Sequence, residues 1–323
     1  MTRTSLDGLA LAISQTLGLA QKRDIAGVAQ RLGLSDSPIE VGDDCAAIAD
    51  GDGFLLLAIE GFLPSFVAAD PFFAGYCGLM VNLSDIAAMG GRPIAVVDAL
   101  WARDAVASLP LLDGLKSASS RYGVPIVGGH SNLRSPSDQL AVAVLGRARR
   151  LLSGFAAEPG QLLMAAIDLR GRFREPHPFW DASTGRPAER LRGDLELLPS
   201  LAEMSACGAA KDISQAGLVG TAVMLLESSG CGGRLDIDAI PRPEGIDPLR
   251  WLTSFPSFGF LLAVPPAARD LVAGHFASRD IACAPIGHVE AGSSVRIAQG
   301  GQEATVWDFG VQPLIGCGRR PDA

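Results

Sequence analysis

Five short segments of this chain place carboxylates, amides or an arginine beside glycine and other small residues, a mixture suited to holding a charged ligand. Gly42-Asp43-Asp44 sets adjacent carboxylates before an apolar run, and oxygen donors so paired can hold a divalent cation. Asn82-Leu83-Ser84-Asp85 puts an amide and a carboxylate three residues apart in an otherwise apolar stretch. On a helix the two share a face, and a carboxylate withdrawn from water needs a partner. Lys211-Asp212-Ile213-Ser214-Gln215-Ala216-Gly217 stands where a strand pattern gives way to a helical one, so Ser214 is a candidate cap and the free amides a candidate anion site. Gly128-Gly129-His130-Ser131-Asn132 follows a strand pattern, where glycine lets backbone approach a ligand closely. His130 is there a candidate phosphate-binding or proton-transfer group. Gly146-Arg147-Ala148 adds an always-charged, fork-shaped donor.

Each segment also has an ordinary structural explanation: an acidic turn, a hydrogen-bonded core aspartate or helix-packing pair, a helix cap, a histidine after a turn. Their combination is more informative. Three Asp-bearing junctions, glycine turns and one arginine fit a site where magnesium bridges carboxylates and a polyphosphate.

Composition narrows the alternatives. With 323 residues, 48% hydrophobic and 19% charged, the chain has length for two domains and a substantial core. A net charge of -8 without a Lys/Arg run argues against a nucleic-acid surface, which needs a basic stripe. The cysteines Cys45, Cys77, Cys207, Cys231, Cys283 and Cys317 lack C-x-x-C spacing and histidine partners, so reduced, mostly buried thiols are expected rather than zinc. No stretch reaches membrane-spanning length and no signal-peptide pattern opens the chain; a cytoplasmic protein with no membrane partner is expected.

The elements that must carry these residues follow from periodicity. Leu9, Ile13, Leu17, Ile25, Val28 and Leu32 predict an N-terminal helical arm, residues 1–36, broken near Gly18. Strands are expected at 45–48 and 54–59, a helix from Phe72 to Gly90, a strand at 94–100, a helix at 109–122, and strands at 124–127 and 140–145. That order implies an α+β sheet layered on one side by helices over residues 37–148. A turn-rich stretch then leads into a second domain, 149–323, with strands near 161–167, 212, 235 and 258–264 and helices near 195–205, 215–229 and 267–277. Phe173 to Pro187, with three prolines and no period, is expected to be a long surface loop, with a lid over a ligand as the alternative.

In order, GDDCAAI, EG, VNLSDIAAMGGRP, VGGHSN, GRA, KDIS followed by AGL, and LDIDAIP resemble the motifs of the aminoimidazole ribonucleotide (AIR) synthase-like superfamily. That superfamily includes AIR synthase, thiamine-monophosphate kinase and selenophosphate synthetase. The resemblance runs from about Val41 to Val264. It implies an α+β, two-domain fold with an N-terminal mixed-sheet domain that dimerises and a C-terminal α/β domain, binding ATP and Mg2+ as a homodimer. It further implies that Asp43, Asp85 and Asp212, with Asp44 beside them, are metal ligands. Arg147 and Ser214 match ATP-contacting positions, and Gly128, Gly129 and Asn82 would complete the nucleotide site, Asn82 by orienting Asp85. The departures are equally specific. Leu56, His130, Gln215, Leu63 and Pro256 to Leu261 stand where thiamine-monophosphate kinases carry metal or substrate contacts, and the reactive Cys and Lys of selenophosphate synthetases are not found before Val41. Glu60 or His130 would have to compensate as catalytic groups. Pro256 to Phe260 and the 173–187 segment are candidates for the acceptor pocket. The expected activity is ATP- and magnesium-dependent phosphoryl transfer or ligation on a small molecule; the alternative is a non-catalytic nucleotide sensor or scaffold of the same fold.

Overall fold

Strand Gln139–Ala148 alternates buried Leu140, Val142 and Val144 with more accessible Ala141, Ala143 and Leu145, the period of a sheet covered on one face. In the computed structural model, which describes residues 5–318, it is the centre of a five-stranded sheet. Across that sheet run Ala46–Asp50, Gly53–Phe62, Gln139–Ala148, Arg92–Trp101 and Ile126–Asn132. All pairs are antiparallel except Arg92–Trp101 with Ile126–Asn132, which are parallel and joined through helix Ala105–Tyr122. Cys45–Leu151 forms one compact unit together with Gly185–Ser200.

The helices that cover this sheet are delimited by local chemistry. Asp70 accepts the Phe73 N–H at 3.2 Å and Pro71 opens helix Pro71–Ala88, satisfying one orphan donor and pre-setting the first turn. Gly90, at φ +73°, follows the last turn. This helix crosses Ala105–Tyr122 at two glycines: a Cβ on Gly75 would lie 2.0 Å from the Leu111 carbonyl oxygen, and one on Gly114 2.0 Å from that of Phe72. The close approach has no periodic signal in sequence. Helix Ala188–Leu195 sends Arg192 back to the Arg121 and Ser120 carbonyls at 2.9 and 2.7 Å, capping the end of the second helix.

The other unit comprises the chain through Asp44, Leu152–Thr184 and the chain from Leu201. Its seven-stranded sheet runs Gln302–Asp308, Ser294–Gln299, Gly232–Asp236, Ala282–Glu290, Leu162–Ile167, Gly259–Val264 and Ala209–Asp212. Helix Gly217–Ser229 is buried along its whole length, which explains why its apolar residues show no preferred side.

Several expectations change. The N-terminal helices Leu6–Ser14 and Leu17–Leu32 are not a separate arm: Leu6, Ala10, Ile13 and Leu19 join the core of this second unit. The break between them lies at Thr16, whose hydroxyl accepts the Leu19 N–H at 3.4 Å, while Gly18 is needed because a Cβ there would meet the Gln215 carbonyl oxygen at 2.3 Å. Residues 173–187 are not simply a loop. Arg172–Phe173 and Phe179–Asp181 pair with each other, and Phe255–Pro256 adds a third strand. Trp180 is buried there, its indole N–H donating to the Asp168 carbonyl at 2.9 Å, and T-shaped contacts to Phe173 and Trp251 at 5.2 Å hold it. The prolines concealed a strand that aromatic packing makes. The two segments expected near an acceptor are thus hydrogen-bonded neighbours, with the Ser257 N–H on the Trp180 carbonyl at 2.9 Å. Gly128-Gly129-His130 does not follow a strand either; it lies inside the edge strand Ile126–Asn132. Among the described residues no helix is long and apolar enough to cross a membrane, and none of the six cysteines is in a disulfide, four of them being buried.

The glycine crossing makes a paired prediction. Gly114→Ala should lower stability by about 1–3 kcal/mol through overpacking, whereas Gly27→Ala, with nothing within 4 Å of the new methyl, should raise it by about 0.4–1 kcal/mol. Thermal melts of the two variants moving in the same direction would contradict the packing described.

Candidate functional site

The strand Ala209–Asp212 is buried at every position although two of its residues are charged. It forms one edge of the seven-stranded sheet, with Lys211 opposite Leu261 and Asp212 opposite Phe260 on the adjacent strand. The Gly42-Asp43-Asp44 turn meets it. The side chains of Lys211, Asp44 and Asp43 are only 6, 6 and 2% exposed. The Lys211 ammonium donates to Asp44 in a short ion pair and lies 4.0 Å from Asp43 Oδ1. Asp44 Oδ2 also accepts the backbone N–H of Asp212 at 3.2 Å, and carboxylate oxygens of Asp44 and Asp212 lie within 4.8 Å.

Asp43 is held from a third direction. Its Oδ2 accepts the Ser153 hydroxyl at 3.0 Å and the Gly154 N–H at 2.8 Å, while Oδ1 accepts the Asp44 N–H at 3.1 Å. Burial raises its carboxyl to about 6 against the opposing pull of Lys211, and Asp44 adds to the rise. For Lys211 burial works against the charged form, but Asp44, Asp43 and Asp212 outweigh it and keep the ammonium protonated above its ordinary range. One ammonium therefore answers three neighbouring carboxyl groups, a donor set of hard oxygens with charge to spare.

The sequence motif by itself gives Lys211 no role. The available signal was a lysine inside the apolar run Ala209-Ala210-Lys211-Asp212-Ile213, since buried lysines are rare unless paired. Ser214 does not cap the following helix. Helix Gly217–Ser229 has Ala216 at its cap position with no side-chain bond, and the Ser214 N–H instead donates to Thr221 Oγ1 at 3.3 Å. Gln215 donates to Gln21 at 2.5 Å.

The remaining candidates lie in the sheet unit of Cys45–Leu151. Asp85 and Asn82 are both buried on helix Pro71–Ala88. The Asn82 amide donates to the Gly78 carbonyl at 2.8 Å rather than to a carboxylate, and among the described residues its buried Oδ1 finds no hydrogen-bond partner. An orphaned buried acceptor one turn from Asp85 is unusual. Glu60 and Asp98 flank Val142 on one face of the sheet, whereas His130 pairs with Ala99 and so belongs to the opposite face. His130 is exposed there, its ring 5.9 Å from Trp101. Arg147, on that same outer face, lies 3.1 Å from Asp52 and 3.6 Å from Asp50. Gly128 is exposed, and Gly129 is confined because a Cβ would lie 2.8 Å from Asp98 Oδ2. Asp98, absent from the sequence-based candidates, has its carboxyl raised by burial.

Residues 42–148 match the model for the AIR synthase related protein N-terminal domain, and residues 180–299 match that for its C-terminal domain. The chain belongs to the AIR synthase related family. An uncharacterized protein of Synechocystis sp. is 45% identical over 96% of this chain and 98% of its own length. An uncharacterized protein of Methanocaldococcus jannaschii is 33% identical over 93% and 96%. Among solved structures, Thermotoga maritima PurL complexed with ATP superposes with a TM-score of 0.74 at 16% identity, covering 94% of this chain. This AIR synthase related chain spans only 53% of that PurL chain. ThiL complexed with AMPPCP and TMP gives a TM-score of 0.65 at 21% identity, covering 88% of this chain and 96% of that one. These likenesses establish the two-domain fold.

The raised carboxyl of Asp43 has a defined consequence for stability in metal-free buffer. The folded state binds this proton more tightly than the unfolded state, whose value is near 3.8. The resulting stabilisation is present below that value and is lost as pH rises through about 6. Asp43→Asn should therefore gain on the order of 2–3 kcal/mol relative to the parent between pH 4 and pH 7. Parallel stability curves in chelator-treated buffer would refute the assignment.

Proposed function

We propose that this chain is an ATP- and magnesium-dependent phosphoryl transferase or synthetase acting on a small molecule. The observation that carries the reading is the buried cluster in which one ammonium, Lys211, balances Asp43, Asp44 and Asp212. Hard oxygen donors in excess of cationic charge suit Mg2+. The PurL structure with ATP and the ThiL structure with AMPPCP support a nucleotide as the other ligand. Asp43, Asp44, Asp85 and Asp212 are the proposed metal ligands. Bound magnesium would neutralise charge on the polyphosphate. Ser153 and Gly154 fix the Asp43 carboxylate, and Lys211 keeps its neighbours from repelling one another. Arg147 and the backbone at Gly128, Gly129 and Ser214 are assigned to ATP. Positioning and charge neutralisation are what phosphoryl transfer asks of a protein. A kinase would pass the phosphoryl group to the acceptor, and a synthetase would activate a carbonyl oxygen for attack by nitrogen. Both would use this arrangement, and the cytoplasm, where ATP is supplied, is the proposed location.

A second reading, a nucleotide sensor or scaffold without turnover, draws on one observation. Glu60 and His130, the candidate catalytic groups, lie on opposite faces of the sheet. ATP hydrolysis or transfer that depends strictly on an added metabolite would dismiss this reading.

The outer sheet face also bears on assembly. Leu57, Ile59, Val97 and Leu145 are exposed together on it, and a cluster of exposed apolar side chains is the usual mark of an interaction surface. We assign this face to a homodimer. Light scattering should return twice the chain mass, with Ile59→Glu shifting the species toward monomer; a monomeric parent at micromolar concentration would refute the assignment.

For the nucleotide reading, calorimetric titration of the full chain with AMPPCP and magnesium should show saturable binding. Asp85→Ala and Asp212→Ala should each weaken it by at least about tenfold, the loss expected for an oxygen ligand or its immediate support. No binding by the parent, or unchanged binding by both variants, would overturn the proposal.

A further inference from the structure

Helix Gly217–Ser229 follows directly on the Asp212 segment, and its last three residues, Glu227, Ser228 and Ser229, are all buried polar side chains. Each holds a different piece of chain. The Glu227 carboxylate accepts the N–H groups of Leu314, Ile315 and Gly316 at 3.0–3.1 Å. Ser228 donates to the Gly42 carbonyl at 3.3 Å. Ser229 donates to the Gly154 carbonyl at 2.7 Å and accepts the Ala157 N–H at 3.1 Å.

One of these connections ends on Asp43 and the other two on Gly42 beside it. Gly154, fixed through its carbonyl by Ser229, donates its own N–H to Asp43 Oδ2 at 2.8 Å. The segment clamped by Glu227 continues into Cys317 and Gly318, which close on the same turn from outside. A Cβ on Gly42 would lie 2.7 Å from Cys317 Cβ, and one on Gly318 2.5 Å from Ser228 Cα. Gly42 is therefore confined between Ser228 and Cys317, at a φ of +124° that only glycine adopts readily. The C-terminal segment lies beyond residues 180–299 matched by the family's C-terminal domain.

We propose that Glu227, Ser228 and Ser229 are positioning residues for the Asp43-Asp44 pair, and that the segment Leu314–Gly318 is a strap completing this wall of the site. The helix then sets both carboxylate-bearing segments: its start fixes the residues after Asp212, and its end fixes the turn that carries Asp43 and Asp44. A carboxylate taking three backbone donors is a strong anchor, and hydrogen bonds behind a ligand-bearing group set the affinity of the site in front.

The inference rests on the metal reading above, and manganese binding to the full chain separates the two. Titration followed by electron paramagnetic resonance should show a bound ion for the parent, with Ser229→Ala and Glu227→Gln each weakening it by about tenfold or more. Val272→Ala, which opens a cavity at a fully buried position in helix Arg269–Ala277, should lower the melting temperature without changing manganese affinity. If Glu227→Gln does not fold, Ser229→Ala alone decides. Affinity within about twofold of the parent for the folded variants, or an equal loss in Val272→Ala, overturns the positioning role while leaving the metal reading standing. Absence of manganese binding by the parent overturns both.

Discussion

Removing a lysine ammonium from water costs several kcal/mol unless anionic partners surround it, and that constraint organises the sequence-distant parts of the acidic cluster. Lys211 is buried on an edge strand, so Asp44 and Asp43 must reach it from the Gly42 turn, far away in sequence. The aspartates are equally dependent on the lysine, since three carboxyl groups in one buried place cannot share it without a cation. The pair therefore fixes where the Gly42 turn sits against the seven-stranded sheet. It also explains why burial raises the carboxyl of Asp43 even beside a positive charge: the ammonium is shared.

Around this balance the backbone supplies most of the remaining restraint. Ser153 and Gly154 donate to Asp43, the Asp212 N–H donates to Asp44, and the end of helix Gly217–Ser229 ties down the loops that provide these donors. Such a cluster is stiff because its carboxylate oxygens are held by groups that are themselves hydrogen-bonded. The arrangement suits chemistry in which an electrophile and its counter-charge must be placed accurately and the protein forms no covalent bond. In the other unit the same economy appears as packing: Gly75 and Gly114 let two helices touch backbone to backbone over the sheet, fixing the helix that carries Asn82 and Asp85.

The family relationship and the departures from it belong together. The two domains are those of the AIR synthase related family, while the motif resemblance implies that Leu56, Gln215 and Pro256 to Leu261 stand where thiamine-monophosphate kinases carry polar contacts. Structure adds a reason for one of these changes. Pro256 is part of a small sheet with Phe179–Asp181, whose Trp180 packs on Trp251, so that stretch belongs to an aromatic framework.

Sequence alone determined what is local. The 3.6-residue and two-residue periods placed the helix Pro71–Ala88 and the strands on either side of it within a few residues, because burial of one face is written into neighbouring side chains. The acidic motifs are legible for the same reason, each being a short run of residues recognisable without reference to distant chain. What depends on distant chain was decided only by tertiary structure. Lys211 became the counter-charge of Asp44 across a long sequence separation, Ser214 gave up its expected cap to a neighbouring threonine, and Glu60 and His130 were sorted onto opposite faces by strand register. The 173–187 segment gained strands from aromatic contacts that no period announces, and the N-terminal helices found their place in the second unit's core. In each case the determining energy is a pairing that forms only on folding, and a local pattern carries no record of which partner folding will supply.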